Sequence, residues 1–430
     1  MTGGLLKYLL LPLFVVLTLS SCRSGGERRG KGEESGVGAN AAGNLENAAR
    51  KSADFTDQAW HWADSVAASM DSRRLAAQMV MPALYADTLR SPAELLALYA
   101  DTLQLGGVLF LKGTASEARH IASRLQRRIE KVSGIPMFVA IDAEWGLGMR
   151  FPSVPEFPAN GEIDPSADDQ LMYDYGYEMG REARLAGINV VFGPVMDVER
   201  DGSVMGVRSF GQDAARCAAL GTAYARGLED GCVISVAKHF PGLGATLSDS
   251  HRKRPVLRVS AENLHDIDLL PYREYIDAGL SGVMVGHVAV PAIDSVNRSA
   301  AVSPLVIGGL LRSQMGFKGL VFTDALNMGG LGDTADAEVE ALKAGADVVV
   351  APVGTARAVE RIAASIETGS FPLREARERC RRILFYKYRF LKGVNLSRVV
   401  ESESLYRELN TPSAASISSR LGGGKGKTHR

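Results

Sequence analysis

The chain predicts an α/β fold, a single (β/α)8 barrel of the TIM type without a second α/β sandwich domain. Two observations carry the barrel. Eight apolar, β-rich runs recur between residues 79 and 352, with room for a helix between most of them. Ionisable residues end five of those runs. The runs are Met79 to Tyr85, Gly107 to Leu111, Met137 to Asp142, Asn189 to Asp197, Val233 to His239, Gly282 to His287, Gly319 to Asp324 and Ala346 to Pro352. Strands that are apolar on both faces belong to a parallel sheet covered by helices, and eight alternating with helices fit a closed barrel. The helices are legible as well. From Asp169 to Leu185, Leu171, Met172, Tyr175, Met179 and Leu185 interleave with Glu178, Arg181, Glu182 and Arg184, and Ala335 to Gly345 stops at a glycine.

Asp142 ends the third run, Asp197 the fourth, Lys238 and His239 the fifth, His287 the sixth and Asp324 the seventh. The C-terminal rim of such a barrel holds the active site, so this placement points to catalysis. For Asp197 and His287 two roles stay open, a satisfied structural group or a substrate contact.

The segment from Lys238 to His251 packs a lysine, two histidines and an aspartate around Gly242 and Gly244. In an extended Asp249-Ser250-His251 the carboxylate and the imidazole point the same way. A carboxylate holding a histidine fixes its tautomer and raises its basicity, which makes a general acid/base. Read alone, the same residues are also compatible with a strand cap and a solvated turn. Val321 to Leu326 sets Asp324 at the end of an apolar strand, a rigid platform for a nucleophile or for stabilising a cation. A fixed carboxylate facing a proton donor suits double-displacement glycosidic cleavage. Asp142, Arg150, Arg208 and Lys238 would then grip sugar hydroxyls.

With these residues in place, the chain resembles glycoside hydrolase family 3, in its bacterial β-N-acetylglucosaminidase branch. The resemblance rests on Ile141-Asp142-Ala143-Glu144 with Arg150-Phe151, Gly193 to Asp197, Arg208 to Gly211, Lys238 to Gly242 through Asp249-Ser250-His251, Val283-Met284 to His287, Gly316 to Gly319 and Phe322 to Ala325. It covers roughly residues 70 to 390. It implies Asp324 as nucleophile, His251 as acid/base and Asp249 as its partner, with Asp142, Arg150, Arg208, Lys238 and His239 binding substrate. The two-domain β-glucosidases of the family usually draw their acid from a glutamate in a second domain, for which this chain leaves no room. The implied activity is that of a retaining β-N-acetylhexosaminidase removing terminal N-acetylglucosamine from cell-wall, peptidoglycan-derived or related glycans through a glycosyl-enzyme intermediate.

The chain also departs from the pattern. Gly242-Leu243-Gly244-Ala245 stands where the branch usually has Gly-His-Gly-Asp, Trp145 and Leu147 replace a glycine and a polar residue, and Val207 replaces a frequent aspartate. Trp145 offers an aromatic face to a sugar or peptide, or packs on the rim. The missing polar groups keep in play a non-catalytic glycan-binding lipoprotein on the same barrel, beside a β-glucosidase of the same family. A metal-dependent hydrolase using His239, His251 and an aspartate ranks last, because the two histidines lack close ligand spacing. No cofactor and no metal are expected.

At the N-terminus, Lys7 precedes an apolar run from Tyr8 to Leu19 and then Leu19-Ser20-Ser21-Cys22, which resembles a bacterial lipoprotein signal with Cys22 as the acylated residue. A spanning helix is the alternative, but the run is short for about 30 Å of hydrocarbon. The expected organisation is a signal peptide over 1–22, a flexible tether over 23–52, the barrel over 53–403 and a C-terminal tail over 404–430. The protein would be exported and lipid-anchored to a bacterial membrane, on its periplasmic or cell-surface side. A formal net charge of zero makes no electrostatic case for nucleic acid. Cys217, Cys232 and Cys380 show no disulfide framework and no metal knuckle, and are read as buried thiols.

Overall fold

The computed structural model describes residues 54–152, 154–248, 254–332, 334–396 and 401–422. Among the described residues nine strands form a curled seven-stranded parallel sheet and a parallel pair: β1 (Val80–Met81), β2 (Ala83–Ala86), β3 (Gly107–Gly113), β4 (Phe138–Ile141), β5 (Val190–Val191), β6 (Ile234–Phe240), β7 (Gly282–Val285), β8 (Leu320–Thr323) and β9 (Val349–Val350). Neighbours pair in chain order from β2 to β8, and β1 pairs with β9. Backbone bonds also tie β9 to β8: the Thr323 amide donates to the Val348 carbonyl at 3.0 Å. Only Pro82, which has no amide hydrogen to donate, stands between β1 and β2, while its carbonyl accepts from Leu109 at 2.9 Å. The result is an α/β sheet of TIM-barrel type, and each of the eight expected runs contains strand.

β4, β6, β7 and β8 are buried throughout, which is why their sequences lack polar alternation. The helix expected from Asp169 to Leu185 forms over those residues, opened by the Asp168 side chain accepting from the Leu171 amide at 2.9 Å. The helix expected from Ala335 runs over Ala337–Ala344 and ends at Gly345, whose φ of 125° suits glycine.

One expectation is corrected. Over its described residues the stretch read as a tail from 404 is helical, Ser402–Leu409 and Pro412–Arg420. Leu405, Leu409, Ala414, Ile417 and Leu421 recur at helical spacing and are buried, so apolar burial orders what composition alone left unassigned. Cys217 and Cys380 are buried free thiols, as expected. Cys22 lies outside the described residues. No helix among the described residues is long and apolar enough to cross a membrane.

Candidate active site

Parallel strands that end on one rim deliver their next residues to one place. Asp142 follows β4, Lys238 and His239 lie near the end of β6, His287 follows β7 by two residues, and Asp324 follows β8 directly. Asp197 arrives on the chain leaving β5, where Val195 bridges to Lys238.

At the centre is Lys238, only 2% exposed, with its Nζ 2.7 Å from Asp142 Oδ1 and 2.8 Å from Glu144 Oε1. Glu144 also accepts two bonds from one guanidinium, Arg208 Nε at 2.9 Å and Nη2 at 2.8 Å. This fork geometry fixes Arg208 as well as neutralising Glu144. Burial works against charge on Glu144, but Lys238 and Arg208 outweigh it and hold its pKa well below the usual carboxylate range. The two cations respond in kind: burial opposes them, and their carboxylate partners raise both pKa values. Arg150 completes this side, its Nε donating to the Asp142 carbonyl at 3.0 Å and its Nη2 3.6 Å from Asp142 Oδ2.

His239 links this web to Asp197. Its Nδ1 donates to Asp197 Oδ2 at 2.7 Å, so its Nε2 is the nitrogen that faces Arg208 Nη2 at 3.3 Å. Asp197 is fully buried and also accepts the Leu243 amide at 2.6 Å. Leu243 itself is 3% exposed and belongs to the hydrophobic core, with Ala245 packed against it. An apolar pair therefore suits this loop. Gly244 has no alternative: a Cβ there would lie 1.8 Å from the Val198 carbonyl oxygen.

Asp324 is 8% exposed. Its Oδ1 accepts the Ala325 amide at 2.8 Å, and among the described residues nothing donates to Oδ2. Burial pushes its pKa up, but His287, His239, the Ala325 amide and Lys238 together bring it below the ordinary value. His287 Nε2 donates to the Ala325 carbonyl at 3.0 Å, and Ser299 Oγ lies 3.1 Å from Nδ1. Burial lowers its pKa more than the Asp324 charge raises it. Thus His287 braces the turn that carries Asp324, and Asp197 orients His239.

All six described residues expected at the site, Asp142, Arg150, Arg208, Lys238, His239 and Asp324, share this cluster. Asp249 and His251 lie outside the described residues. Glu144 was not expected as a site residue, although it stands in the Ile141 to Glu144 segment. Its clue was spacing, since a carboxylate two residues beyond Asp142 can return to the same lysine. No group of three or more His, Cys, Asp or Glu among the described residues could hold a metal ion.

Residues 74–385, more than half of the chain, match the family model described as "Glycosyl hydrolase family 3 N terminal domain". Beta-hexosaminidase A of Pseudoalteromonas piscicida is 33% identical over 272 residues, covering 58% of this chain and 46% of that protein. The chain thus spans about half the length of that relative. A beta-hexosaminidase of Nitrosomonas eutropha is 33% identical over 259 residues, 57% of this chain and 72% of its own. Among solved structures, a glycoside hydrolase family 3 beta-N-acetylglucosaminidase from Paenibacillus sp. str. FPU-7 superimposes with a TM-score of 0.76 at 29% identity, covering 82% of this chain and 68% of that one. With a matched model over most of its length, this chain belongs to glycosyl hydrolase family 3.

Proposed function

We propose that the protein is a retaining β-N-acetylhexosaminidase acting on terminal N-acetylglucosamine, with peptidoglycan-derived glycans as its substrate class. The observation that carries this reading is Asp324: a carboxylate with lowered pKa and, among the described residues, one oxygen without a hydrogen bond, at the end of a buried strand beside a web of polar side chains. Asp324 Oδ2 attacks the anomeric carbon while the glycosidic C–O bond breaks and His251, held by Asp249, gives its proton to the departing oxygen. Water then attacks the same carbon, loses its proton to His251 and releases Asp324. Asp142, Arg150, Arg208, Lys238 and His239 hold the sugar. Because the pairs within this web already balance its charge, the sugar meets fixed hydrogen-bonding groups instead of a site that must reorganise.

The names of the relatives support the N-acetyl preference. The test is release of nitrophenol from p-nitrophenyl N-acetyl-β-glucosaminide and from the β-glucoside by the detergent-solubilised chain. The expected result is cleavage of the first alone, with β-configured sugar as the initial product by proton NMR and loss of at least roughly 1,000-fold in Asp324→Ala. Cleavage of the glucoside would make the protein a β-glucosidase, and binding without cleavage a glycan-binding protein.

We further propose that β1 and β2 act as one strand broken at Pro82, closing an eight-stranded barrel, and that acylated Cys22 anchors the protein to a bacterial membrane. Cys22→Ala should lose both incorporated palmitate and sedimentation with membranes.

A further inference from the structure

Two of the three tryptophans are packed away. Trp60 stacks on Phe385 with ring centroids 4.0 Å apart, Trp62 meets Tyr388 at 5.6 Å, and both pack against the core. Trp145 differs. Like the other two it is partly exposed, but it lies outside the core cluster, and among the described residues it has neither an aromatic partner nor an acceptor for its indole N–H. Its flanking apolar neighbours, Ala143 and Leu147, are fully buried. The loop therefore leaves a large, partly exposed apolar ring off the core directly after Glu144.

Val207 is 46% exposed and stands next to Arg208. Glu144 and Arg208 are joined by two hydrogen bonds of 2.8 and 2.9 Å, so Trp145 and Val207 flank the two ends of a single ion pair. Two partly exposed apolar residues are thus next in the chain to the two ends of the polar web's central ion pair. Hydrogen-bonding groups suit the hydroxyls of the bound sugar, whereas an aromatic face beside them suits the C–H face of a second ring.

We propose that Trp145, with Val207, forms an apolar lip that receives the leaving-group sugar and makes the protein prefer a disaccharide to a glycoside lacking a second ring. This rests on the hydrolase reading above. The test compares di-N-acetylchitobiose with N-acetyl-β-glucosaminyl azide, whose leaving group has no ring, in the wild type, Trp145→Ala and Trp145→Phe. In Trp145→Ala, kcat/KM for the disaccharide should fall roughly 5- to 20-fold, chiefly through KM, while the azide changes less than about twofold. Trp145→Phe should recover most of the loss. A parallel fall on both substrates, or none on either, overturns the lip. Should the wild type cleave neither, the hydrolase reading fails, and tryptophan fluorescence decides the lip separately. A saturable change with the disaccharide that disappears in Trp145→Ala upholds it, and no change in the wild type overturns it.

Discussion

Lys238 and Lys387 are both buried, at 2% and 0% exposure, yet their surroundings treat them in opposite ways. Lys238, on the C-terminal rim, has two carboxylates within 2.8 Å, and these raise its pKa against the cost of burial. Lys387 lies by the opposite ends of the strands, where Gln78 precedes β1 and Phe138 opens β4. Its Nζ donates to Gln78 Oε1 at 2.7 Å and sits 5.2 Å from the Phe138 ring. Among the described residues no carboxylate opposes it, and burial lowers the Lys387 pKa to about 7. The rim is built to keep charge in place, and the base of the sheet to tolerate an amine that can lose it. This matches a division of a barrel into a catalytic face and a stabilising face.

The contrast is broken most severely by Lys238→Met. It leaves Glu144 buried with only Arg208, and losing one partner of a buried ionic group costs about 3–5 kcal/mol. Denaturant titration should show that loss, and kcat/KM on the aryl N-acetylglucosaminide should fall roughly 100- to 1,000-fold.

Lys387→Met should spare activity and change only how stability responds to pH. Below about pH 7 the lysine is protonated whether the chain is folded or unfolded. Between about pH 7 and 10 only the unfolded chain holds that proton, so wild-type stability rises with pH across this window, by about 4 kcal/mol in total. The methionine variant should lack that rise. Urea midpoints at pH 6.5 and pH 9.5 that move together in both proteins would refute the assignment.

A smaller effect is expected from Glu144→Gln, which keeps the shape of the Arg208 contact but removes its charge. KM should rise about tenfold with little change in kcat, because the web then grips substrate less firmly without losing Asp324. Gln78→Leu is smallest. It removes the hydrogen bond from Lys387 Nζ to Gln78 and should cost about 1 kcal/mol, with activity unchanged.

Much of the fold was legible for a physical reason. Strands covered on both faces must be apolar at every position, so Val233 to Ala237 and Val283 to Val285 stand out without any partner being known. The rim residues were legible because a polar side chain closing such a run has few other places to go. Glu144 was harder to find, since its role depends on Arg208, which is 64 residues away. Lys387 gave no sign either, because a lysine in a helix of mixed charge normally faces water. The C-terminal helices were missed because tail composition hid apolar residues that matter only against the helix Asp169–Leu185 and its neighbours.

Sequence alone determined which residues could form strands, which side chains would end them, and therefore where chemistry could gather, because those are local properties of burial and periodicity. Tertiary structure decided which charges would meet. Whether a buried lysine keeps its proton depends on carboxylates brought from other strands, and so does the pairing of Glu144 with Arg208. The same holds for Trp145: exposure of one ring between two buried neighbours follows from how its loop folds over the rim, and no local pattern encodes it.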